Sequence, residues 1–129
     1  MPLVTLTVLD SVAPTRRRQI LDAVHAALVA VGVPAADRFQ RVLALPAEDL
    51  LFDPHYPDAP GSGAARDERF VIVEVLWSVG RSVKVKRQLL QHLNDRLAAV
   101  DFDCRQMMLV FKETTWENWS FASGQLLHA

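Results

Sequence analysis

The pattern that most limits the fold is a strand–helix–strand run that occurs twice, once on each side of a proline- and glycine-rich segment. From Leu3 to Leu9 apolar and polar residues alternate: Val4, Leu6 and Val8 on one side, Thr5 and Thr7 on the other. A period of two predicts a strand that begins almost at the first residue. Pro14 suits the first turn of a helix, where its missing N–H costs nothing. Ile20, Val24, Leu28 and Val31 then recur at helical spacing until Gly32-Val33-Pro34 ends the pattern. Phe39 to Leu45 reads as the second strand, with Arg41 spoiling its alternation.

Residues 46–69 carry Pro46, Pro54, Pro57, Pro60, Gly61 and Gly63 and read as a loop or short hairpin. Phe70 to Trp77 is almost continuously apolar, as in a strand covered on at least one face. Gly80 turns the chain and Ser82 is placed to cap a second helix. Val85, Leu89, Leu93, Leu97 and Val100 mark that helix's buried side. Met107 to Phe111 is the fourth strand, and a polar, tryptophan-containing tail follows.

These elements predict one α+β domain over residues 1–129. Residues 1–45 form a first βαβ unit, 46–69 the connecting loop, 70–112 a second βαβ unit and 113–129 the tail. Two such units in a short chain predict a four-stranded mixed sheet with both helices on one face. The other face then has no helix to cover its Val, Phe and Trp side chains, which predicts an oligomer.

Composition narrows the function classes. Half of the 129 residues are hydrophobic and 22% are charged, enough for a packed core. Lys and Arg number 14 against 15 Asp and Glu, a net charge of −1, which argues against a nucleic-acid partner. Cys104 is the single cysteine, so no intrachain disulfide can form. No apolar run approaches a membrane span, and MPLVTLTVLD lacks the features of a signal peptide. A cytoplasmic protein with no membrane partner is the expectation.

Pro2 is small enough as a second residue for Met1 to be removed. The chain would then begin with a secondary amine at the head of a strand. Such an amine titrates near neutrality when partly desolvated, which suits proton transfer beside a carbonyl. The bland alternative is that a Met-Pro start carries no meaning.

Pro2 heading a strand, followed by two βαβ units, resembles the tautomerase superfamily. Five motifs narrow the likeness to the branch that includes malonate semialdehyde decarboxylase. They are Gly32-Val33-Pro34-Ala35-Ala36-Asp37-Arg38-Phe39-Gln40, Phe52-Asp53-Pro54-His55-Tyr56, Arg66-Asp67-Glu68-Arg69-Phe70-Val71, Gly80-Arg81-Ser82 with Lys86, and Glu117-Asn118-Trp119-Ser120-Phe121. The last is the most specific. The resemblance spans essentially the whole chain and implies a homotrimer with sites at subunit interfaces, an N-terminal proline in each, and no metal or organic cofactor.

By that resemblance Pro2, Asp37 and Arg81 are the catalytic candidates. Arg81 would hold a small carboxylate substrate bidentately at a helix start, or is simply a solvated helix-start arginine. Asp37 would steady the ammonium form or orient a water, or is simply a turn residue. Arg38 serves either substrate or an interface. His25 is a minor substrate-binding candidate, more often a structural residue. Trp119 and Phe121 either wall the pocket or clasp the oligomer, or both. Arg16-Arg17-Arg18 reads most simply as a solvated first turn. His55, His92 and His128 lack metal-ligand spacing. Two departures stand out: Val79 occupies the place of a first arginine in Val79-Gly80-Arg81-Ser82, and Ala122-Ser123-Gly124 replaces a Gly-X-Gly.

The leading expectation is a tautomerase acting on a small 2-oxo or enol carboxylate. The alternatives are a lyase of the malonate semialdehyde decarboxylase or hydratase type, and a trimeric binding protein without catalysis.

Overall fold

In the computed structural model, which describes residues 1–57 and 65–128, the alternating segment forms strand β1 (Leu3–Leu9). Helix α1 (Pro14–Ala30) follows, with Pro14 in its first turn, and then strand β2 (Phe39–Leu45). The second unit is strand β3 (Val71–Ser78), helix α2 (Val83–Ala99) and strand β4 (Met107–Thr114). Short 3-10 turns lie at Ala47–Asp49, Cys104–Gln106 and Trp116–Asn118. Ser82 caps α2 as its sequence position predicts, its hydroxyl accepting from the Val85 amide at 3.2 Å. In the connecting segment Pro60, Gly61 and Gly63 lie outside the described residues.

The sheet order is β2-β1-β3-β4. β1 runs parallel to β2 and β3 parallel to β4, while the central pair β1 and β3 is antiparallel. The expected mixed four-stranded sheet is therefore what forms. Val4, Leu6 and Val8 of β1 and Val71, Val73, Val75 and Trp77 of β3 are buried in one cluster. Ile20, Val24, Ala27 and Leu28 of α1 join it, as do Leu89, Leu93 and Leu97 of α2. Both helices thus cover the same face.

Trp77 corrects the expectation that tryptophan would lie on the open face. It is fully buried in the helix-packed core, stacked on Phe111 with ring centroids 5.1 Å apart. The opposite face of the sheet keeps Phe39, Leu43 and Met108 about half exposed, at 47, 46 and 50%. Polar pairs cross it: Arg41 donates to the Thr5 hydroxyl at 2.9 Å, and Lys112 pairs with Glu74.

The triple arginine is also more engaged than a solvated turn. Arg16 donates to the Val100 carbonyl at 2.6 Å and stands over the Phe102 ring, clasping the end of α2. Arg17 donates to the carbonyls of Val12 and Asp10 at 2.8 and 3.0 Å. Arg18 pairs with Asp22 at 3.1 Å on the exposed side. The turn before α1 and the C-terminal end of α2 leave carbonyls unpaired, and long guanidinium stems reach them.

Gln106, fully buried, fastens the end of the connecting segment to the sheet. Its Oε1 accepts from the Asp67 amide and its Nε2 donates to the Ala65 carbonyl, both at 3.0 Å. Removing the Gln106 amide takes the side-chain partner from both backbone groups, which costs about 1–3 kcal/mol where they stay shielded from water. Gln106→Leu is therefore expected to destabilise the fold by about 2 kcal/mol in urea unfolding. A change within measurement error would show that water satisfies those groups instead.

Candidate active site

Because β1 and β2 run against β3 and β4, the starts of the first pair and the ends of the second meet at one edge of the sheet. Pro2, Asp37, Ser78 and Arg81 are gathered there from distant parts of the chain. Gly80 has φ +114°, a left-handed conformation that glycine adopts freely, and it turns β3 back toward α2. Arg81 follows at once.

Pro2 is buried and lines a cavity of about 180 Å³ with Met1, Leu3, Phe39, Trp119, Ser120 and Phe121. The aromatic rings form its walls. Phe39 and Phe121 have centroids 5.4 Å apart, and Trp119 and Phe121 lie nearly parallel at 6.5 Å. The cavity therefore offers flat apolar surfaces beside the first residues of the chain.

Asp37 approaches from the loop before β2. Its Oδ2 pairs with the Met1 ammonium at 3.2 Å, and its Oδ1 is buried without a hydrogen-bond partner among the described residues. A buried, unpaired carboxylate oxygen is costly and stands ready to accept a proton donor. The neighbouring residues explain how Asp37 is held. Arg38 donates to Asp22 at 2.5 Å and to the Gln40 side chain at 2.9 Å, while Gln40 donates to the Leu21 carbonyl at 2.9 Å. The Arg38 guanidinium beside Asp22 holds that carboxyl below the usual carboxylate range. Within Asp37-Arg38-Phe39-Gln40 the even residues fasten β2 to α1 and the odd ones face the cavity region.

His25 bonds through Nε2 to the Ala35 carbonyl at 3.0 Å, and it does not line the cavity. It ties α1 to the loop that carries Asp37.

Arg81 lies outside the cavity wall. Its Nη1 donates to the Ser78 carbonyl at 2.6 Å, and its guanidinium stacks 4.7 Å over Trp77 and 5.7 Å from the Trp116 ring. Burial pushes its ionisation below the ordinary arginine value, while Glu113 and Asp37 pull it back up. An arginine remains cationic throughout, so a charge is held in a partly desolvated aromatic cage. Glu113 itself is shared with Lys86, which pairs with it at 2.5 Å.

Sequence reasoning missed Ser78. It is fully buried at the end of β3, and its hydroxyl accepts from the Trp119 indole at 2.9 Å. The one signal for it is a lone hydroxyl closing an otherwise apolar run just before Gly80-Arg81. Among the described residues no three His, Cys, Asp or Glu side chains come together as a metal-holding group, and no helix is long and apolar enough to cross a membrane.

A family model described as tautomerase enzyme matches residues 37–122. The chain belongs to the tautomerase family. The matched span contains Asp37, Arg81, Trp119 and Phe121 and begins after Pro2 and His25. Solved structures agree with this tautomerase fold. An FG41 malonate semialdehyde decarboxylase inhibited by 3-bromopropiolate is 29% identical, with a TM-score of 0.82 over 95% of this chain and 91% of its own. Another malonate semialdehyde decarboxylase, solved in wild-type, mutant and inactivated forms, is 25% identical with a TM-score of 0.81 over 95% of this chain and 92% of its own. A wild-type fused 4-OT solved as a symmetric trimer shares the fold at 23% identity, with a TM-score of 0.70 over 96% of this chain and 94% of its own. None of the curated proteins compared matches the sequence.

Proposed function

We propose that this member of the tautomerase family is a cofactor-independent keto–enol tautomerase of a small 2-oxo or enol carboxylate, working in the cytoplasm. Removal of Met1 makes Pro2 a secondary amine. As the free base it takes the enol hydroxyl proton and returns a proton to C3, leaving the 2-oxo acid. Arg81 holds the carboxylate. Asp37 favours the ammonium form between the two transfers, and Trp119 and Phe121 hold the flat enol away from water. The observation that carries this reading is the buried Pro2 in an aromatic-walled cavity at the head of β1, with the Asp37 carboxylate held beside the residue before it, 3.2 Å from the Met1 nitrogen.

Desolvation lowers an amine's pKa and a nearby carboxylate raises it, so the two influences oppose each other at Pro2. Leu3 and Phe39, which line the cavity, also belong to the sheet face left uncovered by the helices. A second and third copy seated on that face would close it, in keeping with a homotrimer whose sites lie between subunits.

A decarboxylase or hydratase acting on a three-carbon acid is the second reading, favoured by the likeness to the two malonate semialdehyde decarboxylases. Val79 weighs against it. That position is 37% exposed and apolar where the resembling enzymes place a first arginine, so one of two anion anchors is missing.

Intact-mass spectrometry of the purified protein, followed by a ¹⁵N titration of Pro2, tests the choice. The tautomerase reading expects a mass without Met1 and an amine titrating at about 6–7, where a base is poised at neutral pH. Retained Met1 overturns both enzyme readings, since an amide nitrogen has no basicity, and leaves a binding protein. A value well above neutrality overturns the tautomerase in favour of the decarboxylase.

A further inference from the structure

Two parts of the proposed site that are far apart in sequence converge on one buried residue. Ser78, with no exposed surface, accepts the Trp119 indole on its hydroxyl at 2.9 Å and the Arg81 guanidinium on its carbonyl at 2.6 Å. Trp119 lines the cavity at Pro2, whereas Arg81 stands behind it in the cage of Trp77 and Trp116. The backbone at Ser78 is itself fixed: it pairs with Thr114, and the Val79 amide donates to the Thr114 carbonyl at 2.9 Å. The hydroxyl therefore presents a rigid acceptor from the sheet to a side chain of the tail.

The tail needs such an anchor. Among the described residues its chain runs through a 3-10 turn at Trp116–Asn118 with no strand beyond β4; the Leu127 amide donates to the Trp119 carbonyl at 2.8 Å and holds the backbone there, while the Ser78 hydroxyl holds the ring. Phe121 then leans on both Phe39 and Trp119, so the indole's orientation sets the spacing of all three rings.

We infer that Ser78 is a positioning residue of this site: its hydroxyl fixes the Trp119 indole and thereby the aromatic wall against which a flat carboxylate lies. The inference rests on the reading of this cavity as the substrate site, and binding rather than turnover reads it out. Without the hydroxyl the half-buried indole N–H loses its acceptor, and the ring is free to turn away from Phe121. The carbonyl contact to Arg81 is retained, so the change isolates the wall from the anion anchor.

The test uses the full chain and trans-cinnamate, a flat unsaturated carboxylate that does not tautomerise. Indole ¹H–¹⁵N resonances of the three tryptophans are followed in the parent protein, Ser78→Ala, Trp119→Phe and the double variant. Ser78→Ala is expected to shift the Trp119 indole resonance and to weaken cinnamate binding by about 3- to 10-fold, the worth of one net hydrogen bond. In the Trp119→Phe background the same substitution is expected to change binding by less than about 2-fold, because the partner is gone. An unmoved indole resonance, unchanged binding in Ser78→Ala, equal weakening in both backgrounds, or a parent protein that does not bind cinnamate each overturns the inference. Turnover lost or kept on changing Pro2 bears on the catalytic reading alone and leaves this result standing.

Discussion

Pro2→Ala is expected to lower kcat/KM for phenylenolpyruvate by about 100- to 1,000-fold, the usual worth of a positioned acid–base group. Alanine at the second position still permits removal of Met1, so the variant keeps an N-terminal amine. What it loses is the ring. In proline the nitrogen is tied to Cδ, so its lone pair has one direction relative to the strand; in alanine the amine rotates freely and carries an extra N–H. A primary amine is also hydrated more strongly, so the buried site desolvates it at greater cost. The strand beneath is indifferent to the change, because the β1 ladder begins at Leu3. Thermal unfolding within a few degrees of the parent would confirm that only the site is altered. Turnover within about 3-fold of the parent would remove Pro2 from the chemistry, since the contribution would then be absent.

The sequence announces most of the elements because their side chains are read by solvent contrast alone. Val4, Leu6 and Val8 alternate with threonines, and that phase alone puts them in the core. Trp77 shows where the reading slips. Its run, Phe70 to Trp77, is apolar on both faces, and only Glu74 marks the outward side; Trp77, three residues on, is therefore inward with Val71, Val73 and Val75. Counting from the charge rather than from the largest ring finds the right face. Arg16 and Gln106 were beyond local reading for another reason. Their partners, Val100 and Ala65, lie 84 and 41 residues away, and polarity by itself says nothing about which polar residue the fold will bury.

The same distinction runs through the site. Phe39 shares the open face of the sheet with Arg41 and Leu43, a division that strand geometry makes once β2 is recognised, whereas Asp37 and Arg38 lie in the loop before the strand, beyond the reach of that alternation. That Asp37 lands beside the first residue of the chain depends on β1 and β2 being parallel neighbours, with Leu3 opposite Phe39. A motif places such residues through resemblance; spacing does not. Ser78 has no motif, and its importance rests on what the tail brings to it.

The second large effect concerns Arg81, where Arg81→Ala is expected to raise KM for the same substrate and lower kcat/KM by about 100-fold, and Arg81→Lys to recover little of it. A charge-assisted contact to a carboxylate is worth about 1.5–3 kcal/mol, roughly one to two decades. Val79 removes any second arginine from this turn, and Lys86 is engaged with Glu113, so no neighbouring cation is poised to take over. Lysine keeps the charge but not the planar fork that meets a carboxylate with two parallel hydrogen bonds. It also cannot reproduce the double contact: the guanidinium stands over the Trp77 ring at 4.7 Å while donating to the Ser78 carbonyl. A compact ammonium meets one of those demands at a time. Lysine recovering most of the activity would mean that Arg81 supplies field rather than geometry. Alanine leaving KM unchanged would move the carboxylate anchor elsewhere, with Arg38 excluded by its commitment to Asp22 and Gln40.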